Sequence, residues 1–265
     1  MNHLLEISIQ AAIEGGKEIL KIYNTSFAVE YKADESPLTE ADKNAHNAIT
    51  RYLSKANIPV LSEEGKNISY AERKNWKQLW IVDPLDGTKE FVKRNGEFTV
   101  NIALIENNYP ILGVIYVPIK KELYFANSKI GAFKYSAEDI ENIDIPSILT
   151  KAARLPLSNF NSSLSTFKIV ASRSHMSAET EAFIKEMETK HKNIELVSMG
   201  SSLKICLVAE GSANVYPRFA PTMEWDTAAG QAIAECAGCI FIDYTTQQRM
   251  MYNKENLLND WFVVK

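Results

Sequence analysis

The sequence of 265 residues has few of the features that mark secreted, membrane-spanning or nucleic-acid-binding proteins. Its cysteines, Cys206, Cys236 and Cys239, are few and odd in number, which excludes a disulfide framework and favours a reducing compartment. No run approaches the roughly 18 apolar residues of a membrane span, and Glu6 interrupts the stretch that a signal peptide would keep apolar. The formal net charge of −4 argues against a broad basic surface for nucleic acid. We therefore expect a cytoplasmic protein, and its amphipathic opening helix leaves peripheral contact with the inner face of a membrane open.

The remaining composition is typical of a globular chain with a sizeable core, with 46% hydrophobic and 23% charged residues. The spacing of Cys236 and Cys239 also occurs in redox dithiols and in half zinc sites, but no second cysteine pair accompanies it. The pair stands where a predicted helix gives way to an apolar strand. We therefore interpret both cysteines as packing residues.

The order of predicted elements changes near residue 150. Before it, residues 2–23 have helical spacing, a second helix follows Thr39 as its N-cap, and four apolar runs within 97–135 predict an antiparallel meander. Residues 136–165 lack firm periodicity and predict a connector. Beyond it strands and helices alternate, so part of the second sheet should be parallel. We expect an α+β subdomain at 1–150 and an α/β subdomain at 151–265.

Acidic residues stand at the ends of predicted strands and at one helix start. Asp83 and Asp86 lie in WIVDPLDGT, Glu63 and Glu64 end VLSEE, and Asp226 lies in the first turn of a late helix. The candidate metal ligands are Glu64, Asp83, Asp86 and Asp226. If these four lie within about 5 Å of one another, their repulsion amounts to about 20 kcal/mol at an effective dielectric of about 20. Folding would then need divalent cations, and oxygen ligands favour Mg²⁺ over zinc. Taken singly, Glu63 or Glu64 fits a solvated loop acid and Asp226 a helix-terminal acid favoured by the dipole.

Four separated segments together resemble a known superfamily. They are LTEAD at 38–42, SEE at 62–64, DPLDGT at 83–88 and EWDTAAG at 224–230. The combination is similar to the Mg²⁺-dependent, lithium-sensitive phosphatases that include inositol monophosphatase. The stretch DPLDGTKEFVKRNGEFTVNIALI, with SRSH at 172–175, GSSLK at 200–204 and AEGSANVYPRF at 209–219, resembles the 3'(2'),5'-bisphosphate nucleotidases within that superfamily. The resemblance implies a layered αβαβα sandwich of mixed α+β and α/β class. One departure is Ala220, where the pattern has Gly, and it bears on the shape of the base pocket.

The resemblance also implies a role for each matching residue. The implied metal ligands are Glu64, Asp83, Asp86, Asp226 and the backbone carbonyl of Leu85. They would hold two or three Mg²⁺ ions, with Mn²⁺ as a substitute. The implied catalytic residues are Asp42 and Thr88, which would orient and deprotonate the attacking water, and Glu64. The implied substrate contacts are Gly87, Thr88, His175, Ser201, Lys204, Arg218 and Asp226. Without the resemblance, Asp42 and Thr88 would be interpreted as helix-capping residues.

The implied function is phosphate-ester hydrolysis by metal-activated water attack. The expected substrate is a small phosphonucleotide, adenosine 3',5'-bisphosphate (PAP), which loses its 3'-phosphate to give AMP. Inositol phosphate, a sugar phosphate or 3'-phosphoadenosine 5'-phosphosulfate stays open as the substrate of the same chemistry. A haloacid-dehalogenase-like phosphatase is a second alternative, although two residues between the acids, with Pro84 stiffening the turn, fit metal ligands better. A non-catalytic sensor of PAP is the alternative outside the enzymes.

Overall fold

The computed structural model describes residues 2–23, 29–31, 37–142, 144–157, 166–171 and 177–265. The α-helices of these residues are α1 (Asn2–Tyr23), α2 (Glu40–Leu53), α3 (Tyr70–Arg73), α4 (Thr88–Val92), α5 (Ile145–Lys151), α6 (Ala178–Lys190), α7 (Leu203–Ala209) and α8 (Glu224–Cys236). The β-strands are β1 (Val29–Tyr31), β2 (Pro37–Thr39), β3 (Val60–Ser62), β4 (Gln78–Asp86), β5 (Thr99–Glu106), β6 (Tyr109–Val117), β7 (Glu122–Asn127), β8 (Gly131–Ser136), β9 (Ala153–Arg154), β10 (Phe167–Ala171), β11 (Ile194–Ser198), β12 (Tyr216–Arg218), β13 (Thr222–Met223), β14 (Phe241–Asp243), β15 (Leu258–Asn259) and β16 (Phe262–Val264).

The largest sheet of the described residues runs in the order β3-β4-β5-β6-β7-β8-β9. β3 pairs with β4 in parallel, and each later pair is antiparallel. β5 to β8 follow one another in both sequence and space, which confirms the predicted meander. The central strands are buried along almost their whole length, as expected for a sheet that is covered on both faces.

Alternate residues of this sheet enter two different cores. Trp80 and Val82 pack in the core that also contains α1 and α2, whereas Leu79 and Ile81 pack in the core of α7 and α8. The division follows from the two-residue period of a strand. On the far side of the second-half strands, α6 packs in a third core. The resulting order of layers is α1 and α2, large sheet, α7 and α8, second-half strands, and α6, which confirms the predicted sandwich.

The second-half strands combine parallel and antiparallel pairing. β10 and β11 are parallel, as the alternation of strands and helices predicts. A parallel bridge from Ile169 to Val215 leads on to the antiparallel group β12-β16-β14. The last strand predicted from the sequence ends at Asp243, yet β16 follows it and pairs with both β12 and β14. Three buried residues are too short a run for periodicity to detect.

The stretch predicted as a connector contains regular structure. α5 begins after Asp144, whose side chain caps it by accepting a hydrogen bond from the backbone N–H of Ser147 at 2.9 Å. β9 then pairs with β8 at the edge of the large sheet. Residues 158–165, the rest of that stretch, lie outside the described residues. α5 ends next to the predicted subdomain boundary at 150, and this division of the chain stays a prediction.

The helices of the described residues pack into the cores through apolar stripes on their surfaces. In α1, Ile9, Ile13 and Ile19 are fully buried against the core shared with α2. In the described residues, no helix combines the length and the apolar content that crossing a bilayer requires.

The three cysteines are free thiols that pack against apolar side chains, as predicted for Cys236 and Cys239. Cys206 is buried, and Cys236 and Cys239 pack against the core of α7 and α8. Burial raises the pKa of both Cys236 and Cys239 to about 11, so that neither thiol is ionised near neutral pH.

The contact of α8 with the large sheet is tightest at Gly113 on β6. A Cβ atom there would overlap the carbonyl oxygen of Ala229 and lie 2.8 Å from the Cβ of Ala232. Gly113→Ala should therefore push α8 off the sheet and lower the free energy of unfolding by about 1–3 kcal/mol, measured by urea denaturation. The comparison variant is Gly15→Ala in α1, where the added Cβ meets side-chain atoms of the buried Ile49 at 2.8 Å and no backbone atom, and the helix gains about 1 kcal/mol of propensity. Equal effects of the two substitutions would contradict this account of the interface.

Candidate active site

A bulge at the end of β4 brings two aspartates to one face of the large sheet. Asp83 stands opposite Asn101 of β5, and Asp86 stands opposite Thr99, with a register shift between the two pairs. Directly opposed residues of an antiparallel pair share a face, and Thr99 and Asn101 are two residues apart. Asp83 and Asp86 are three apart and would point to opposite faces in a regular strand. The extra residue of the bulge, in a turn that begins with Pro84, corrects this.

Asp83, which is buried, and Asp86 and Asp226, which are half-buried, each use one oxygen to accept internal hydrogen bonds. The backbone N–H of Leu85 donates to Asp83 Oδ1 at 3.1 Å, that of Ser202 to Asp86 Oδ2 at 2.6 Å, and that of Met223 to Asp226 Oδ2 at 2.8 Å. Within the described part of the chain, the second oxygen of each accepts no hydrogen bond. These contacts fix the carboxylate groups and leave one oxygen of each available to a ligand.

The pKa values of the three aspartates are all raised. Burial, followed by the charges of Glu63, Asp86 and Asp226, holds the pKa of Asp83 well above its usual range. Burial and the charge of Asp86 raise the pKa of Asp226 to about 8. Burial also raises the pKa of Asp86, against the opposing charge of Lys204 and the hydrogen bond from Ser202. A cation at this place would relieve the repulsion.

The strand-end acid that acts on this group is Glu63, whereas the sequence analysis selected Glu64. The backbone N–H of Glu63 donates to the carbonyl oxygen of Val82, which continues the parallel ladder of β3 and β4 past Ser62. The charge of Glu63 raises the pKa of both Asp83 and Asp226. The charge of Glu64 acts on His46 of α2. Glu64 as a metal ligand stays a prediction, and the charge of Glu63 on Asp83 and Asp226 makes Glu63 a further candidate.

The residues predicted to handle the attacking water lie at two helix starts. Asp42 is buried in the first turn of α2, and its charge contributes to the raised pKa of Asp83. Thr88 is the first residue of α4, directly after Gly87, whose φ of 92° belongs to the left-handed region that favours glycine. Their joint contact with a water stays a prediction, as does the role of the Leu85 carbonyl.

A cavity of about 210 Å³ extends from Asp86 and Asp226 to a cationic end. Its lining comprises Asp86, Gly87, Lys89, Glu90, Lys93, Asn95, Glu97, Met199, Gly200, Ser201, Ser202, Lys204, Ile205, Tyr216, Arg218, Thr222, Asp226, Thr227 and Phe262. The lining includes each predicted substrate contact except Thr88 and His175, and His175 lies outside the described residues. It thus brings the predicted contacts of the second half next to Asp86.

Side chains at the cationic end are partly unsatisfied. Lys204 Nζ donates to the backbone carbonyl of Ser201 at 2.5 Å, and burial lowers the pKa of Lys204 to about 8. Arg218 Nη2 donates to the carbonyl of Pro221 at 3.1 Å. Within the described residues, the buried Oγ of Ser201 and Nε of Arg218 have no hydrogen-bond partner. Donors without acceptors next to two cationic side chains fit an anion.

The acidic end fits Mg²⁺ by the chemistry of its donors. Glu63, Asp83, Asp86 and Asp226 offer carboxylate oxygens, which hard divalent cations prefer. Across the described residues, no three histidine, cysteine, aspartate or glutamate side chains already stand together as a finished ligand set. The fit therefore rests on the available oxygens and the mutual repulsion described above.

Comparison with known proteins agrees with this arrangement. The model of the inositol monophosphatase family matches residues 1–261. The chain belongs to the inositol monophosphatase family. This membership confirms the resemblance proposed from DPLDGT and the distant WD pair, and it removes the haloacid-dehalogenase alternative.

Several family members resemble the chain over almost its whole length. A protein of Salmonella typhimurium named 3'(2'),5'-bisphosphate nucleotidase CysQ is 43% identical, over 98% of this chain and 99% of its own. A protein of the same name from Haemophilus influenzae is 37% identical, over 99% of this chain and 92% of its own. The crystal structure of CysQ from Bacteroides thetaiotaomicron is 54% identical and covers 100% of this chain and 97% of that one, with a TM-score of 0.89. An IMPase from Thermotoga maritima, 24% identical with a TM-score of 0.76, shares the fold.

Several residues of the candidate site of this chain were not predicted from its sequence. Besides Glu63, these are Thr99, Asn101 and Ser202, which surround Asp86, and Tyr216, which lines the cavity. The alternation of TVNIA within a buried strand gave one signal, since Thr99 and Asn101 are polar residues on a single face. Only the pairing register shows that this face carries Asp83 and Asp86.

The adjacent acids Glu63 and Glu64 provide a matched test of the ligand assignment. We expect Glu63→Gln to weaken Mg²⁺ binding at least about 10-fold, because it removes a charge that acts on Asp83 and Asp226, and Glu64→Gln to change it less than about 3-fold. Calorimetric titration of each folded variant with Mg²⁺ measures the difference. A larger effect from Glu64→Gln would support Glu64 as the ligand, as the resemblance implies.

The raised pKa of Asp226 predicts how stability depends on pH in the absence of metal. Between the usual Asp pKa of 3.8 and about 8, the unfolded chain releases a proton that folded Asp226 keeps, so the free energy of unfolding should fall as pH rises and level off above about 8. Asp226→Asn should reduce this slope and raise Tm at pH 8 by several degrees, since 1 kcal/mol shifts Tm by about 2–4 °C in chains of this size. Thermal unfolding with EDTA from pH 5 to 8.5 measures both, with the exposed Asp139→Asn as control. An unchanged slope in Asp226→Asn would contradict the assignment.

Proposed function

We propose that the chain is a Mg²⁺-dependent 3'(2'),5'-bisphosphate nucleotidase that converts PAP to AMP and phosphate. The observation that carries the proposal is that one cavity joins the carboxylates of Asp86 and Asp226 to the buried Lys204 and the half-buried Arg218. A substrate with two phosphates fits both ends, one through bound metal and one through Lys204 and Arg218. The names of the relatives from Salmonella typhimurium and Haemophilus influenzae support the same activity. We include a cytoplasmic location in the proposal.

The reacting phosphate belongs at the acidic end in this proposal. Two or three Mg²⁺ ions, for which Mn²⁺ substitutes, would be held by Asp83, Asp86, Asp226, the carbonyl of Leu85 and a carboxylate of the adjacent acids Glu63 and Glu64. When bound, they would supply a water of lowered pKa and neutralise charge on the phosphate and leaving oxygen. Since each aspartate is already fixed through one oxygen, little rotamer freedom remains to be lost on binding.

Protein groups would orient the water and the phosphate. Asp42, buried in the first turn of α2, would accept the proton of the water, and the Thr88 hydroxyl would hold the water in line with the scissile bond. The backbone N–H groups of Gly87 and Thr88 would donate to the phosphate oxygens. A side chain at Gly87 would come within 3.3 Å of Glu90, Glu97 and Ser201, so glycine keeps this approach open.

The second phosphate belongs at the cationic end. Lys204 and Arg218 would neutralise it, and the Ser201 Oγ would donate to it, which would satisfy a buried group that has no partner in the described residues. His175 is proposed as a further contact from its place in SRSH.

An inositol monophosphatase is the second candidate, since the acidic end would serve any phosphate ester. Such a substrate has no second phosphate and gives Lys204 and Arg218 no ligand. Phosphate release should therefore show a higher kcat/KM for PAP than for inositol 1-phosphate or a sugar phosphate. Equal or reversed values would favour the second candidate. No metal-dependent phosphate release at all would favour a PAP sensor.

Removing the charge of Lys204 should affect two nucleotides differently. For Lys204→Gln we expect KM for PAP to rise about 10- to 100-fold, as for a charged hydrogen bond worth about 1.5–3 kcal/mol. The rise should be smaller for 3'-AMP, which lacks the 5'-phosphate and is affected only through the loss of the Lys204 charge next to Asp86. Steady-state kinetics on both substrates measures the split. 3'-AMP is the internal control, because a general structural defect would impair both reactions equally. Lys168→Gln, outside the cavity lining, is the control variant. An equal loss on both substrates would contradict the assignment.

A further inference from the structure

Asp86 is held by a ring of buried polar groups from both halves of the chain. Thr99 and Asn101 of β5 are at most 1% exposed, and Ser202, the residue before α7, is 4% exposed. Asp86 Oδ2 accepts hydrogen bonds from the Ser202 backbone N–H at 2.6 Å and from Asn101 Nδ2 at 3.3 Å. The Ser202 hydroxyl lies 2.8 Å from both Asn101 Oδ1 and Thr99 Oγ1.

The proton positions in this ring follow from its donors and acceptors. The carboxylate of Asp86 accepts, so it faces the amide nitrogen of Asn101 and leaves Asn101 Oδ1 as an acceptor. The Ser202 hydroxyl must then donate to Asn101 Oδ1, and it accepts from the Thr99 hydroxyl. The Thr99 hydroxyl has one proton and donates it to Ser202 Oγ. This explains why the distance from Thr99 Oγ1 to Asp86 Oδ2 is a longer 3.4 Å. One direction of donation runs from Thr99 through Ser202 and Asn101 to Asp86.

We propose that Thr99, Asn101 and Ser202 are positioning residues that hold Asp86 by Oδ2 and turn Oδ1 towards the metal. The claim rests on the metal site of the proposed function. Charged acceptors form short and strong hydrogen bonds, and donors behind a metal ligand fix its orientation. Ser202 also lies between Ser201 and Lys204, so the ring places the cationic end relative to Asp86. A fully buried ring tolerates few other geometries, because an orphaned member costs about 1–3 kcal/mol.

The direction of donation predicts a graded effect on metal affinity. Asn101→Leu removes a donor to Asp86 and should raise the Kd for Mn²⁺ about 10- to 100-fold. Thr99→Val acts only through Ser202 and should raise it about 3-fold, and Thr99→Ser should restore it. In the double variant Thr99→Val with Ser202→Ala, the Kd should equal that of Ser202→Ala alone, because the Ser202 hydroxyl to which Thr99 donates is already absent.

Electron paramagnetic resonance of free Mn²⁺, titrated with the full chain, measures these constants without any turnover. The matched control is Thr180→Val, which removes another buried hydroxyl, one that contacts Ser177 Oγ at 3.1 Å in α6. Circular dichroism selects folded variants, and the mild Thr99→Val keeps the test available if Asn101→Leu fails to fold.

The outcomes distinguish the positioning role from the proposed substrate. Wild-type affinity in Asn101→Leu and Thr99→Val, or an equal shift in Thr180→Val, overturns the positioning role. Affinities that shift as expected, in a protein that releases no phosphate from PAP, support the positioning role and overturn the proposed substrate. Absence of Mn²⁺ binding by the wild-type protein overturns both.

Discussion

Crowding of carboxylates in a small buried volume is the constraint on which the rest of the structure depends. The charges of Asp86 and Asp226 raise the pKa of Asp83, that of Asp86 also raises the pKa of Asp226, and the charge of Glu63 adds to both effects. Such a group costs stability in the absence of a counter-charge, since buried like charges repel. Backbone N–H donors and the charge of the nearby Lys204 stabilise the group in part. The same repulsion raises the affinity of these acids for a divalent cation.

The fold supplies this crowding from elements far apart in the sequence. The bulge of β4 places Asp83 and Asp86 on one face, the extension of β3 adds Glu63, and α2 adds Asp42. α8 packs closely on β6 and carries Asp226, while α7 brings Ser202 to Asp86 and Lys204 into the cavity. The site therefore lies where first-half strands meet second-half helices, and neither half contains a complete set of residues.

The sequence alone predicted the parts of this arrangement that depend on local patterns. Helical spacing gave α1, the four apolar runs gave the meander, and the resemblance of DPLDGT and EWDTAAG gave three aspartates. It could not predict what a pairing register decides. Both Glu63 and Glu64 follow the same strand, so local pattern does not separate them, and the resemblance alone selected Glu64. The ring around Asp86 depends on the register of β5 and on Ser202, about a hundred residues away, so no local pattern contains it.

The most direct test of this account is diffraction from crystals grown with Mn²⁺, measured for anomalous scattering. The account predicts at least one Mn²⁺ ion with carboxylate oxygens of Asp83 and Asp86 within about 2.3 Å, and with Asp226 and an acid of the Glu63–Glu64 pair completing the ligand sets. An empty pocket at saturating Mn²⁺, or Asp226 and both of these glutamates turned away from the ion, would contradict the central claim that these acids are gathered to bind metal.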